Sequence, residues 1–225
     1  MNFETIRKDA RRYLGSSTVL DPVTENKIDT ILDELIHEFN PRQVNGLFDI
    51  DIVDSTITFK GTKLQVESND LAKVLIDSEK CILLACTLGI EIERKLKFLS
   101  ANNLEMGILY DAVAAAYIEG YCDALNEDLK AQYAEESYYM TMRYSPGYGD
   151  VELHYQKVII DVLNAYKRIG LTTNDSHLMI PRKSITAFIG LQRKPYINVE
   201  DRCEQCRLKD SCQLRKGGRP CGVAK

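Results

Sequence analysis

The feature that most constrains this fold is a continuous apolar run, CILLAC at residues 81–86. The run is far too short for a membrane-spanning helix, and its apolar residues occupy every position instead of alternate ones. A strand that is apolar on both faces lies between other strands and has further layers packed above and below it. Gly89 then ends the run, and a charged helical pattern follows at 90–99. We therefore predict a central β-strand followed by a helix.

A second β signal lies upstream of this strand. Phe48, Ile50 and Ile52 alternate with polar residues, and a second alternating run follows after a polar turn. Alternation of this kind predicts a hairpin with one buried face.

Helical patterns account for much of the remaining chain. Asp21 and Pro22 have the chemistry of an N-cap and a first helical residue. The longest pattern runs from about Leu104 to Lys130, and another begins near Val158 and reaches a C-cap at Gly170. Because strands and helices do not alternate strictly, the sequence predicts an α+β fold with a mixed, largely antiparallel twisted sheet flanked by helices.

One face of the longest helix carries almost no side-chain bulk. Ala112, Ala116 and Gly120 recur at every fourth residue, and Glu119 lies beside them. Such a stripe permits tight packing against the sheet, or the close approach of another backbone or a flat ligand. The pattern alone leaves these alternatives open.

Composition narrows the classes of partner. The chain has a net charge of -4, and residues 1–200 alone are at -8, which argues against a nucleic-acid partner. No apolar run approaches the roughly 20 residues that span a bilayer, so no membrane association is predicted. The start of the chain has an amphipathic helical pattern instead of a signal peptide, and we expect a cytoplasmic protein.

Four cysteines are clustered in a basic C-terminal segment. They are Cys203, Cys206, Cys212 and Cys221, within a segment 201–225 of net charge +4. Four thiolates at this density can close a tetrahedral zinc site or hold an iron–sulfur cluster, and the spacing does not choose between them. Free thiols on the tail are the alternative. A non-catalytic metal-binding interaction module is the alternative function that these cysteines predict.

The connection RYSPGY at 143–148, called the RYSPGY loop below, carries more chemistry than a turn requires. Arg143 has a planar, permanently charged guanidinium suited to a carboxylate or phosphate. Pro146 fixes the backbone, Gly147 permits a sharp turn and close approach of a ligand, and Tyr148 adds a hydroxyl. A surface ion pair beside a plain turn is the alternative interpretation.

This loop resembles the S-adenosylmethionine-binding motif Arg-x-x-x-Gly-Tyr of the reactivation domain of cobalamin-dependent methionine synthase. The order of the flanking segments is also similar, with an alanine-rich helix before the loop and an amphipathic helix after it. The segment 171–191 then resembles the family's run of Leu-Thr, Met, Pro and Ser-x-Ser/Thr. The resemblance covers residues 78–191 and implies the fold of that activation domain.

The resemblance implies a set of ligand-binding residues and a reaction. The implied S-adenosylmethionine-binding residues are Arg143, Ser145, Pro146, Gly147, Tyr148 and Glu119. In this interpretation Arg143 pairs with the ligand carboxylate and Glu119 is a polar contact. Tyr148 is the catalytic residue at the reactive end, facing the corrinoid. The protein would be an accessory component that supports reductive remethylation of a corrinoid-binding methyltransferase.

The implied partners are that corrinoid protein and a flavodoxin- or ferredoxin-like electron donor. Cobalamin would enter only through the partner, because DSHLMI at 175–180 ends in isoleucine where a cobalamin-ligand motif needs glycine. A redox-linked role favours iron–sulfur over zinc at the cysteine tail. We expect helices and a hairpin at 1–77, an activation-domain-like core at 78–200 and a tail at 201–225. Retention of the fold with a different carboxylate ligand is a further alternative.

Overall fold

The structure, a computed structural model, describes residues 1–16 and 18–196. The four clustered cysteines and the predicted tail 201–225 lie outside the described residues. The helices are α1 (Phe3–Tyr13), α2 (Pro22–Glu38), α3 (Asn69–Leu75), α4 (Ile90–Asn102), α5 (Leu104–Glu135), α6 (Tyr155–Val162) and α7 (Ala165–Ile169). The strands are β1 (Arg42–Val53), β2 (Thr56–Phe59), β3 (Gln65–Glu67), β4 (Ser78–Thr87), β5 (Tyr139–Met140), β6 (Thr172–Thr173), β7 (Met179–Ile180) and β8 (Ser184–Gln192).

The main sheet has six strands in the order β3-β2-β1-β4-β8-β5, and neighbouring strands are antiparallel. The predicted central strand is β4, which pairs with β1 on one side and β8 on the other. Its alternate residues Cys81 and Leu83 pack on one face of the sheet, whereas Ile82 and Leu84 pack on the other. The α+β fold with a largely antiparallel sheet is therefore confirmed.

The predicted hairpin is formed by β1 and β2. Ile50 lies opposite Phe59, and Ile52 lies opposite Ile57, so the two alternating runs share a register. Ile57 and Phe59 are fully buried. The prediction of a hairpin with one buried face is confirmed, and β1 continues beyond it to pair with β4.

Helices cover both faces of the sheet. One apolar cluster joins α3, α6 and α7 to the sheet, and another joins α1, α2, α4 and α5. The predicted cap of α2 is present, because the Asp21 side chain accepts hydrogen bonds from the amides of Val23 and Thr24, both at 3.1 Å. None of the helices in the described part of the chain is long and apolar enough to cross a membrane.

The small-residue stripe of α5 is used for helix packing. A Cβ atom placed on Gly120 would lie 2.7 Å from Cγ1 of Ile6 in α1, so glycine permits the contact. Ala112 and Ala116 are also buried. At Gly120 the stripe therefore receives another backbone, that of α1, which is one of the predicted alternatives.

The amphipathic helix predicted after the RYSPGY loop is two helices, and the prediction of one continuous helix is wrong. Asn164 adopts a left-handed conformation with φ 51° between α6 and α7. Asparagine tolerates this region better than most residues, because its short polar side chain interacts with the local backbone. Tyr166, in α7 after this break, is 67% exposed. Gly170 is the C-cap, as predicted.

Candidate functional site

Arg143 follows β5 and reaches across to α5. Its Nη2 atom lies 2.9 Å from Oδ1 of Asp123 and 3.4 Å from Oε2 of Glu119. These two acidic residues are four positions apart, so their side chains project from the same face of the helix. The Arg143 side chain is only 18% exposed. The tertiary structure therefore brings the predicted residues Arg143 and Glu119 together, with Asp123 as a third member.

The guanidinium of Arg143 is only half used by these contacts. Its Nη1 atom is buried and has no hydrogen-bond partner among the described residues. Burial works against the charge of Arg143, but Cys122 and the carboxylates of Asp123 and Glu119 outweigh it and raise the pKa. Arg143 is therefore a fixed cation with one donor group still available in a protected position.

Two buried cysteines lie behind this arginine. The sulfur atoms of Cys86 in β4 and Cys122 in α5 are 2.8 Å apart, and both residues are fully buried. Contact with Cys86 and burial raise the pKa of Cys122 well above its ordinary value. Cys122 therefore stays protonated at neutral pH, and both cysteines form part of the core.

The RYSPGY loop is anchored to the sheet at its first residues. Tyr144 exchanges two backbone hydrogen bonds with Phe188 of β8, at 2.9 and 2.7 Å. The chain then turns at Gly147, where φ is 94° and the amide donates to the carbonyl of Val151 at 2.7 Å. Pro146 is buried, whereas Gly147 and Tyr148 are exposed. The loop therefore presents its glycine backbone and its tyrosine to solvent on a fixed base.

A comparison with known protein families shows to which family the chain belongs. A sequence profile described as vitamin B12 dependent methionine synthase, activation domain, matches residues 76–215, which is more than half of the chain. The chain belongs to this activation-domain family.

A solved structure agrees with the membership at the level of fold. The activation domain described here is similar to a crystal structure of the MetH reactivation domain bound to AdoHcy, with a TM-score of 0.60 and 19% sequence identity. The likeness covers 97% of this chain and 84% of that chain. None of the curated proteins matches the chain. The fold of the MetH domain and the fold of this activation domain are therefore the same.

Sequence reasoning missed Asp123, the carboxylate closest to Arg143 in this activation domain. A signal was available, because Glu119 and Asp123 are separated by one helical turn of a pattern that was already recognised as helical. What the sequence did not show is that Arg143, 20 residues after Asp123, folds back onto the same turn. Tyr148 is 48% exposed at the end of the RYSPGY loop, and its catalytic role stays a prediction.

A cleft of about 440 Å³ opens beside the same face of α5. Its lining residues are Tyr13, Leu14, Ser100, Gly107, Ile108, Asp111, Ala112, Ala115 and Arg182. Burial, and next the charge of Glu119, raise the pKa of Tyr13, which lines one end of this cleft. The volume falls in the range of small-molecule sites.

The predicted metal ligands lie beyond the described part of the activation domain. Within residues 1–16 and 18–196 no group of three or more His, Cys, Asp or Glu side chains is placed to hold a metal ion. The family match includes Cys203, Cys206 and Cys212 and ends before Cys221. The zinc or iron–sulfur site therefore stays a prediction.

Proposed function

We propose that this activation domain binds S-adenosylmethionine and supports the reductive remethylation of a separate corrinoid-binding methyltransferase. Family membership sets the context. The observation that carries the proposal is the half-used guanidinium of Arg143, with Nη2 held by two carboxylates and Nη1 buried without a partner in the part of the chain that the structure describes. A buried donor of this kind is costly unless a ligand or water completes it.

The cluster matches the charges of an α-amino acid group. A ligand carboxylate would accept from Nη1 of Arg143, and a ligand ammonium would donate to Glu119 or Asp123. The cluster has one positive and two negative groups, and the amino-acid end of the ligand is zwitterionic. Binding therefore leaves the charge balance of the cluster unchanged, which limits the desolvation cost.

The RYSPGY loop would hold the rest of the ligand. Its backbone from Ser145 through Pro146 to Gly147 lies exposed enough at Gly147 for a ligand to approach closely. Tyr148 projects from the end of the loop at 48% exposure. The sulfonium methyl group would lie near Tyr148, at the surface where a partner protein docks.

The corrinoid of the partner supplies the reduced cobalt centre that accepts the methyl group, with an electron from a flavodoxin- or ferredoxin-like donor. In the transfer the reduced corrinoid would supply an electron pair to the methyl carbon, the sulfur–methyl bond would break, and its electron pair would stay on sulfur to give S-adenosylhomocysteine. This chain would bind and orient the sulfonium group and would exclude water from the carboxylate of the ligand. Loss of the positive charge on sulfur makes the transfer essentially irreversible and pulls the unfavourable reduction forward.

Calorimetric titration of S-adenosylmethionine into the full chain tests the proposal. Arg143→Ala should weaken binding by about 1.5–3 kcal/mol, the value of a lost hydrogen bond to a charged group. Decarboxylated S-adenosylmethionine has no carboxylate, so it should bind wild type and Arg143→Ala with the same affinity. Arg168→Ala, a change at an exposed arginine of α7, is the matched control and should bind as wild type.

Two results would contradict the proposal. One is the absence of S-adenosylmethionine binding to the wild-type chain at millimolar ligand. The other is an equal loss for both ligands in Arg143→Ala, because Arg143 would then act on the fold and not on the carboxylate.

A further inference from the structure

Asp150, two residues beyond the RYSPGY loop, connects this part of the chain to α3. One of its carboxylate oxygens accepts from the hydroxyl of Ser68 and from the amide of Asp70 at 3.3 Å, and the other accepts from the amide of Asn69 at 2.9 Å. Ser68 is the N-cap of α3 and accepts in turn from the amide of Leu71 at 2.9 Å. The first amides of a helix have no partner within the helix. Here Asp150, 80 positions after Asp70, supplies the missing hydrogen-bond acceptor.

Gly149 lets the chain come close enough for this contact. Its φ is 53°, and a Cβ atom there would lie 2.2 Å from the Tyr144 hydroxyl oxygen and 2.4 Å from Oδ2 of Asp70. Only glycine fits such a position without displacing both neighbours. The loop is thus pressed against α3 at Gly149 and bonded to it at Asp150.

Desolvation works to raise the pKa of Asp150, but the hydrogen bonds from Ser68 and from the amides of Asn69 and Asp70 outweigh it. The pKa lies below its ordinary value. The carboxylate is therefore charged at neutral pH, and its bonds to α3 are of the strong, charge-assisted kind.

The RYSPGY loop is consequently fixed at two ends. At its start Tyr144 is hydrogen-bonded to β8. After its end Val151 is 2% exposed, and its carbonyl accepts a hydrogen bond from the Gly147 amide. The geometry points to Asp150 as a positioning residue for the ligand site, which holds the Ser145–Tyr148 backbone in register with Arg143 by fastening it to α3. This inference rests on the proposed function, and it concerns a residue that acts through the loop and does not touch the ligand.

Two readouts on the full chain separate this inference from the proposed function. The first is hydrogen exchange without ligand, followed in peptides that cover 144–151 and 68–71. Asp150→Ala should speed exchange in both segments by about tenfold or more, because the amides of Asn69 and Asp70 lose their acceptor and the loop loses the bonds that hold it on α3. The second is S-adenosylmethionine affinity by calorimetry, which should fall by about tenfold, with Asp150→Asn intermediate because the amide keeps one acceptor oxygen.

Two control variants exclude a merely structural effect. Asp128→Asn makes the same charge change at an exposed position of α5. Ile31→Val lowers stability in the core on the other side of the sheet, where Ile31 is 2% exposed. Both controls should keep wild-type affinity and wild-type exchange at 144–151.

Wild-type exchange at 144–151 in Asp150→Ala would overturn the inference, and so would an affinity equal to wild type in that variant. An equal loss of affinity in Ile31→Val would also overturn it, since the effect would follow stability alone. If the wild-type chain does not bind S-adenosylmethionine, the proposed function fails, and the ligand-free exchange by itself decides whether Asp150 positions the loop.

Discussion

Gly120→Ala is the perturbation that best tests how α1 is seated on α5. The new Cβ atom would lie 2.7 Å from Cγ1 and 2.8 Å from Cδ1 of Ile6, whereas carbon atoms pack best at about 3.5–4.0 Å. Ile6 is 1% exposed and has little room to move. Overpacking of this kind costs about 1–3 kcal/mol, and alanine in a helix returns about 1 kcal/mol relative to glycine. The expected net loss in the free energy of unfolding is about 0–2 kcal/mol.

The same substitution in an Ile6→Ala protein tests the packing argument by the sign of the stability change. Ile6→Ala removes both clashing atoms at a cost of its own of about 2–5 kcal/mol. In that background Gly120→Ala should stabilise the protein by about 1 kcal/mol, because only the helix preference remains. Urea unfolding of the four proteins, compared by midpoint and slope, measures the change. If Gly120→Ala has the same effect in both backgrounds, α1 does not constrain this position and the packing argument fails.

Three further predictions concern other parts of the chain. Burial raises the pKa of Cys81 to about 12. Iodoacetamide at pH 9 should therefore leave Cys81 unmodified in peptide mapping until urea unfolds the protein. Rapid modification of the native protein would contradict the burial of Cys81. Cys206→Ser should remove most of the iron or zinc measured after anaerobic purification, and unchanged metal content would argue against a thiolate site. A hydrogen bond from Arg11 lowers the pKa of Glu25. The pair therefore stabilises the fold at pH values above the ordinary carboxyl pKa. That contribution is lost as the pH falls through the lowered pKa of Glu25 in the folded protein. The stability difference between wild type and Glu25→Gln should therefore shrink from pH 6 to pH 3, and a constant difference would refute the assignment.

Local patterns predicted the elements that form the frame of the molecule. The all-apolar run at 81–86 is the centre of the sheet, and the alternation around Ile50 is a hairpin strand. The caps at Asp21 and Gly170 were also readable, because capping depends on residues within one turn of the helix end. The break at Asn164 could not be predicted, since the same apolar spacing is compatible with one helix or two.

Part of the candidate site could be predicted as well. The RYSPGY loop pointed to Arg143 as a candidate and to the activation-domain family. The family match confirmed the family, and the ligand-binding role of Arg143 stays a prediction. The partners of that loop did not follow from its residues. Asp123 lies 20 residues before Arg143, and only its place one turn after Glu119 pointed to it. Ser68 lies more than 70 residues before the loop, and nothing in its own segment marks it as a contact of Asp150.

By itself the sequence determined the periodicity of each element, the chemistry of the loop and the family to which the chain belongs. The tertiary structure decided which charges meet. It placed Arg143 beside two carboxylates of α5 and left one of its nitrogen atoms buried with no partner among residues 1–16 and 18–196. It also placed Asp150 on the first amides of α3. The physical reason is that hydrophobic periodicity acts over a few residues, whereas these contacts depend on the path of the whole backbone between distant segments.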